Sequence, residues 1–175
     1  MEYRMLTDGE IDRSLFATFQ RRQVVDLCWR REGGGWVIRP DPFIDDWNES
    51  DYVFLIRCLQ NTLRTGGAVF AALQEDALKG FASVEPQPFG SRRQYLDLSS
   101  LHVSAEMRGQ GLGKRLFGMA AGWARKQGAE KLYISAHSAA ETQAFYRAMG
   151  CRDAQEHNLA HVKQEPFDCQ LEYVL

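Results

Sequence analysis

No apolar run in this chain of 175 residues approaches the ~20 residues that cross a bilayer. The first residues, MEYRMLTDGE, contain no apolar signal-peptide core, so the cytoplasm is the expected location. There is no excess of either charge. Lys plus Arg number 21 and Asp plus Glu 23, and a net charge of −2 gives no reason to expect nucleic acid or an anionic membrane as partner. Cysteine is scarce and scattered. Cys28, Cys58, Cys151 and Cys169 form no Cys-x-x-Cys pair and are not grouped as zinc ligands, so no metal is expected. In a reducing compartment they are free thiols, mostly packed as small hydrophobes. Internal repeats, low-complexity stretches and an evident linker are also missing. A single domain over residues 1–175 with a sizeable core is the expectation at this length.

Two common phosphate motifs are absent as well: there is no Gly-Lys-Ser/Thr and no Gly-x-Gly-x-x-Gly. What stands in their place organises the chain. Tyr95–Val103 is rich in apolar and β-branched residues and reads as a strand. Arg108-Gly-Gln-Gly-Leu-Gly113 follows, and Leu112, Leu116, Phe117, Ala120, Ala121 and Ala124 then recur at helical spacing. A strand, a glycine turn and a helix make an anion site. The first N–H groups of a helix lack internal partners and lie at the positive end of its dipole. Glycines let a phosphate approach that backbone, and Arg108 and Lys114 add charge.

The other elements follow from periodicity and turn signals. Glu2–Leu6 reads as a short strand. Asp8 is placed to cap a helix over about Glu10–Phe19, with Ile11, Leu15, Phe16 and Phe19 on one face. Gly33-Gly-Gly35 lies between two apolar stretches and makes either a hairpin or an irregular loop, and Pro40 and Pro42 are expected to break any regular element beyond it. A helix over Asp51–Arg64 ends at Gly66-Gly67. Strands are expected over 68–74, 78–85 and 131–136, helices over 110–127 and 140–149, a short helix near 158–163, and a last strand over Cys169–Leu175.

Arg/Gln-x-x-Gly-x-Gly/Ala after a strand resembles the pyrophosphate loop of the GNAT superfamily of N-acetyltransferases. A second match lies further along, where Ser135-Ala-His-Ser precedes a helix carrying Phe145-Tyr146-x-x-x-Gly150. The order of the two segments and their separation also fit that superfamily, as a small single-domain member of the kind found in bacteria. The resemblance covers residues 68–155 well, the acetyl-CoA-binding core. Residues 1–67 fall where these proteins vary and place acceptor specificity.

The resemblance implies a mixed α/β fold: a central, mostly antiparallel sheet splayed between the fourth and fifth core strands (here 95–103 and 131–136), with helices on both faces. It also implies acetyl-CoA as cosubstrate, its pantetheine lying between those strands like an added strand. By carry-over, backbone groups of Leu101, His102 and Val103 hold the pantetheine and acetyl end. Those of Arg108, Gly109, Gln110, Gly111, Leu112, Gly113 and Lys114 hold the pyrophosphate.

The chemistry sets its own requirements. An amine attacks a thioester, so it must lose a proton to a base or water chain. The carbonyl oxygen gains charge that a strand N–H such as that of Val103 could stabilise. The departing thiolate benefits from an acid, and the family pattern assigns that role to Tyr146, which otherwise packs beneath the cofactor. Asp97 lies at the offset from Val103 where histone-acetylating members place a basic glutamate, on the same strand parity, though its shorter side chain favours a water relay. Pairing with Arg92 or Arg93 is the alternative. Glu85 is a second candidate base. His102, on the opposite parity, reads as a core residue before it reads as a base. Ser138 either hydrogen-bonds the cofactor or caps the next helix, with Glu141 completing a capping box. Glu165 and Asp168 could close over the acceptor.

Trp29, Trp36, Trp47 and Phe43 either line a pocket for an apolar amine or simply pack. Cys151 replaces a core phenylalanine of the family and is not a nucleophile. The resulting expectation is direct acetyl transfer to the primary amine of a small molecule, with a protein N-terminus or lysine as the alternative acceptor. A non-catalytic acyl-CoA-binding module is the rival class. A homodimer is expected at family level only. Small amines with several charges would call for an acidic cleft, and the carboxylates from Asp41 to Asp51 are compatible with one.

Overall fold

The computed structural model describes all residues from Met1 to Leu175. Nine strands and four helices alternate along the chain. They are β1 (Glu2–Met5), β2 (Arg22–Glu32), β3 (Gly35–Asp46), α1 (Glu49–Arg64), β4 (Ala68–Gln74), β5 (Ala77–Val84), β6 (Tyr95–Val103), α2 (Leu112–Lys126), β7 (Lys131–Ala136), α3 (Ala140–Ala148), β8 (Arg152–Asp153), α4 (Leu159–Gln164) and β9 (Cys169–Val174). Seven strands form one sheet in the order β1-β4-β5-β6-β7-β9-β8, and β2 and β3 form a separate ribbon.

Strand alternation divides the interior in two. Ala68, Phe70 and Ala72 of β4 join Leu116, Phe117 and Ala120 of α2 on one face. Val69, Ala71 and Leu73 join Leu55, Ile56 and Leu59 of α1 on the other, with Ile11, Phe16 and Phe19. Helix α2 lies so close to the sheet that a side chain on Gly80 would meet Leu116 Cδ1 at 2.9 Å.

One pairing is parallel. Tyr95, Leu96 and Asp97 of β6 face Lys131, Leu132 and Tyr133 of β7, and the pairing stops there. Beyond Asp97 the strands part, β7 turning to β9 and β6 remaining on β5. The expected splay is therefore present, with Asp97 on its last rung. A register shift opposite Ser83 and Val84 places an extra residue, Ser99, in β6. This bulge reverses the parity of the strand. Leu96 and Leu98 face α2 before it, and Leu101 and Val103 do so after it. Asp97 therefore does not share a face with Val103, contrary to the alternation read from sequence, whereas His102 does lie on Asp97's side.

Three local expectations change. Residues 10–19 form no α-helix. A 3-10 turn at Asp8–Glu10 is followed by irregular turns. Thr7, not Asp8, is its cap: Glu10 accepts from the Thr7 N–H at 2.8 Å and its hydroxyl at 2.7 Å. Asp12 accepts from the Ser14 hydroxyl at 2.6 Å and the Leu15 N–H at 3.0 Å, local bonds that compete with a helix. The apolar residues still reach the core. The glycine run makes the hairpin, and β3 continues through Pro40 and Pro42. A two-stranded ribbon leaves half its N–H groups unpaired, so proline is tolerated, and a bulge between Val25 and Leu27 sits opposite. Finally, α3 starts after Ala139 without a side-chain cap, so Ser138 and Glu141 form no capping box. No helix is long and apolar enough to cross a membrane.

Candidate active site

The parting of β6 and β7 opens a cleft of about 1570 Å³. The glycine loop lines one end. Gly109 and Gly111 have φ of 75° and 85°, and a Cβ at either would meet nothing within 4 Å, so both face open space. Gly111 is the N-cap of α2 and gives the helix no side-chain bond. The backbone N–H groups from Gly109 to Lys114 have no partner in the protein; Arg115, bonding to Gly111 O at 3.1 Å, is the first that does. Neither Arg108 nor Lys114 is ion-paired, and Arg108 Nε reaches Val103 O at 3.4 Å. Unpartnered donors at a helix start beside two free cations fit a diphosphate. Gln110 belongs to this loop through its backbone; its side chain turns back to Glu106 O at 3.2 Å.

The open edge of β6 comes next. The bond from Ser104 N–H to Lys79 O, at 2.9 Å, fixes the alternation of the ladder. His102 turns its backbone toward β5, while Leu101 and Val103 turn theirs toward the cleft. Of the three residues expected to present backbone to pantetheine, Leu101 and Val103 are so placed. His102 instead lines the cleft with its ring, between Trp47 (4.8 Å) and Phe81 (5.3 Å). Burial, with Arg21, Arg108 and His137 nearby, pushes its pKa down to about 3, so it is neutral.

Tyr146, on α3, is 7% exposed and lines the cleft. Its ring sits beside Phe145 and Phe117, at 5.1 and 6.3 Å. Its hydroxyl bonds to no protein group, and burial drives its pKa far up, so it stays protonated. Ser138 lies apart from the cleft. It is buried, accepts from Arg30 Nη1 at 2.7 Å, and its carbonyl accepts from Trp29 N–H at 2.7 Å. The expected cofactor contact is replaced by a tie to the β2–β3 ribbon. Cys151 is buried and its thiol pushed up to about 12, which leaves it inert.

The third region carries carboxylates. Glu85 Oε1 accepts from Thr62 Oγ1 and Ser99 Oγ, both at 2.7 Å. Asp97 is 8% exposed; its Oδ2 lies 2.6 Å from His161 Nε2, and its Oδ1 is buried without a partner. Arg92 pairs with Glu130 instead. Asp168 accepts from Ser135 Oγ at 3.0 Å, and burial raises its pKa. Asp45, Asp51, Glu141 and Glu165 also line the cleft, and Asp45 pairs with the buried Arg21. Of the aromatic cluster, Trp47 and Phe43 reach the cleft, Phe43 at 5.2 Å from His137. Trp29 and Trp36 pack against each other outside it, tilted at 55° with centroids 5.8 Å apart.

Sequence reasoning missed His161 and Arg21. His161 sits on the short helix expected near 158–163, but nothing local ties that helix to Asp97.

The family model for the acetyltransferase (GNAT) family matches residues 17–151. Among solved structures, a nourseothricin acetyltransferase is similar at 22% identity, over 98% of this chain and 95% of that one, with a TM-score of 0.65. A Bacillus anthracis protein taken to be a streptothricin acetyltransferase, solved with acetyl coenzyme A, aligns at 14% identity over 99% and 96%, TM-score 0.70. A ribosomal-protein-alanine N-acetyltransferase of Brucella melitensis aligns at 19% identity over the full length of both chains, TM-score 0.60. No protein of curated function matches the sequence. The chain belongs to the GNAT acetyltransferase family. It is thus an acetyl-CoA-dependent acetyltransferase rather than a non-catalytic acyl-CoA-binding module.

Proposed function

We propose that the protein acetylates the primary amine of a small, positively charged molecule in the cytoplasm. The observation that carries this reading is that Glu85, Glu165 and Asp168 line the cleft and none of them is ion-paired, with Asp97 beside His161 in the same wall. Carboxylates that line a cleft without a cationic partner attract a cationic ligand. The cations of the cleft, Arg108 and Lys114, belong to the glycine loop, and Arg21 is neutralised by Asp45. The cleft is thus polarised, with anion sites at the loop and carboxylates toward the acceptor.

In this reading the N–H groups from Gly109 to Lys114 hold the diphosphate of acetyl-CoA, which supplies the acetyl thioester. Leu101 and Val103 orient its arm from the free edge of β6. Tyr146 faces the departing sulfur. A tyrosine held this far above its usual pKa is a weak acid, so its hydroxyl serves as a hydrogen-bond donor and proton relay. Glu85 attracts the acceptor's ammonium group, and Asp97 is held by His161. Ser138 has no part in binding.

Thiol release from acetyl-CoA, measured across diamines, polyamines, neutral aromatic amines and peptides, tests the assignment. Cationic small amines should give the highest kcat/KM, and Glu85→Gln should raise their KM. Preference for a neutral amine or a peptide N-terminus would overturn it. The nourseothricin and streptothricin relatives make cationic antibiotics a sensible addition to the panel.

A further inference from the structure

Asp97 and His161 come together from positions 64 residues apart, and both line the cleft. We infer that His161, oriented through Nε2 by Asp97, takes the proton of the incoming amine, and that Asp97 is a positioning residue rather than the base. The inference rests on the acetyltransferase reading above.

The geometry supplies the assignment. An ionised carboxylate only accepts, so the 2.6 Å contact places the ring proton on Nε2. A neutral imidazole with that tautomer keeps its lone pair on Nδ1, and Nδ1 bonds to no protein group. The ring lies stacked on Tyr133 at 6.0 Å and 18°. The Tyr133 hydroxyl in turn accepts from Asn158 N–H at 2.9 Å, at the start of α4, and bonds Gln170. Asp97 is fixed on β6 by the parallel rung to Tyr133 and by Glu85 N–H on its carbonyl at 2.9 Å. Three elements therefore set one ring, the arrangement that a carboxylate–histidine pair needs to act as a base.

The alternatives are weaker. His102 is held neutral, with a pKa of about 3, and is a poor acceptor for an ammonium proton. His137 uses Nδ1 to accept from Ala139 N–H at 3.0 Å, and burial lowers its pKa. Glu85 has one oxygen occupied by two hydroxyls. The groups facing His161 are Asp97 from β6, Tyr133 from β7, Asp168 before β9 and Glu165 on its own segment. The hydrogen bond from Asp97, opposed by burial and aided by the charges of Asp97 and Asp168, raises the pKa of His161 above the ordinary 6.5. The raised pKa makes Nδ1 a stronger proton acceptor than an ordinary imidazole.

The step balances. The acceptor ammonium gives one proton to Nδ1, forming imidazolium beside Asp97. The freed amine bonds to the acetyl carbon, the carbon–sulfur bond breaks, and the second N–H proton passes through the Tyr146 hydroxyl to sulfur. Amide and thiol result, and the imidazolium returns its proton to water.

NMR titration of the His161 ring in the intact protein reads the pair without turnover. The pKa should lie above 6.5 and fall in Asp97→Asn. With the best amine from the panel, His161→Gln should lower kcat/KM about 100-fold, with acetyl-CoA affinity unchanged. The acidic limb of the pH profile should disappear in His161→Gln and move to lower pH in Asp97→Asn. A His161→Gln enzyme keeping the parent's profile, or a His161 pKa unmoved in Asp97→Asn, would overturn the inference. If no amine releases thiol in the parent protein, the acceptor reading fails instead, while the titration still decides the pair.

Discussion

At the phosphate end of the cleft, one turn of chain from Gly109 to Lys114 presents its own N–H groups, and the helix that follows supplies the field. At the acceptor end, Arg21, Trp47, Glu85, Asp97, His161 and Asp168 arrive from separate stretches and meet only through side chains. The first is a backbone site, tolerant of changes around it and intolerant of a side chain inside it. The second is a side-chain site, in which charge can be altered one residue at a time. In the proposed reading, that difference lets a single cofactor platform serve different acceptors.

The sharpest break of the phosphate end is Gly111→Glu. It places a side chain at φ 85°, where L-residues are strained, and a negative charge where a diphosphate should sit. Calorimetry should show acetyl-CoA binding lost in a protein that remains folded by circular dichroism.

Next in size is the frame that both ends share. Glu172 of β9 is fully buried and accepts from Tyr95 (2.6 Å), Lys131 (2.9 Å) and Arg152 (3.0 Å). Glu172→Ala strands Lys131 and should cost about 3 kcal/mol in urea unfolding. The hydrogen bonds from Tyr95 and Lys131 outweigh burial and hold its pKa down to about 2. The sign follows from that lowering. Its contribution is complete above the unfolded carboxylate's ordinary value of about 4.3. It is lost as pH falls from there toward about 2, and the variant should lack that part of the acid sensitivity.

Tyr146→Phe tests the hinge between the two ends. It should lower kcat about 100-fold while changing the acetyl-CoA Kd less than about threefold. The smallest effect belongs to the acceptor end. Glu85→Gln keeps an oxygen for Thr62 and Ser99 but removes the charge. It should raise the KM for cationic amines about tenfold and leave neutral amines and acetyl-CoA unaffected. A Glu85→Gln enzyme with unchanged KM would erase the proposed contrast between the ends.

The glycine loop and the helix behind it were legible because their information is local: three glycines, two cations and one apolar helical stripe within twenty residues. The place of Tyr146 in the cleft wall was legible for the same reason, through Phe145-Tyr146-x-x-x-Gly150. The strands of the core followed from periodicity. Residues 10–19 were misread because their apolar spacing suits a helix, while Asp12 and Ser14 form competing local bonds. Pro40 and Pro42 were read as breakers because an edge ribbon, where a missing N–H costs nothing, cannot be told from a central strand by sequence.

The sequence by itself determined the apolar faces of α1 and α2, the helix that starts at the glycine loop and the segment that carries Tyr146, since each depends on neighbours within one or two turns of chain. Tertiary structure alone decided the acceptor end. The bulge at Ser99 reversed the parity of β6 and put Asp97 and His102 on one face. The ribbon drew Ser138 away from the cleft to Arg30. Helix α4 carried His161 onto Asp97. Each of these depends on where a strand slips by one residue or where a distant loop lands, and such contacts leave no period in the chain.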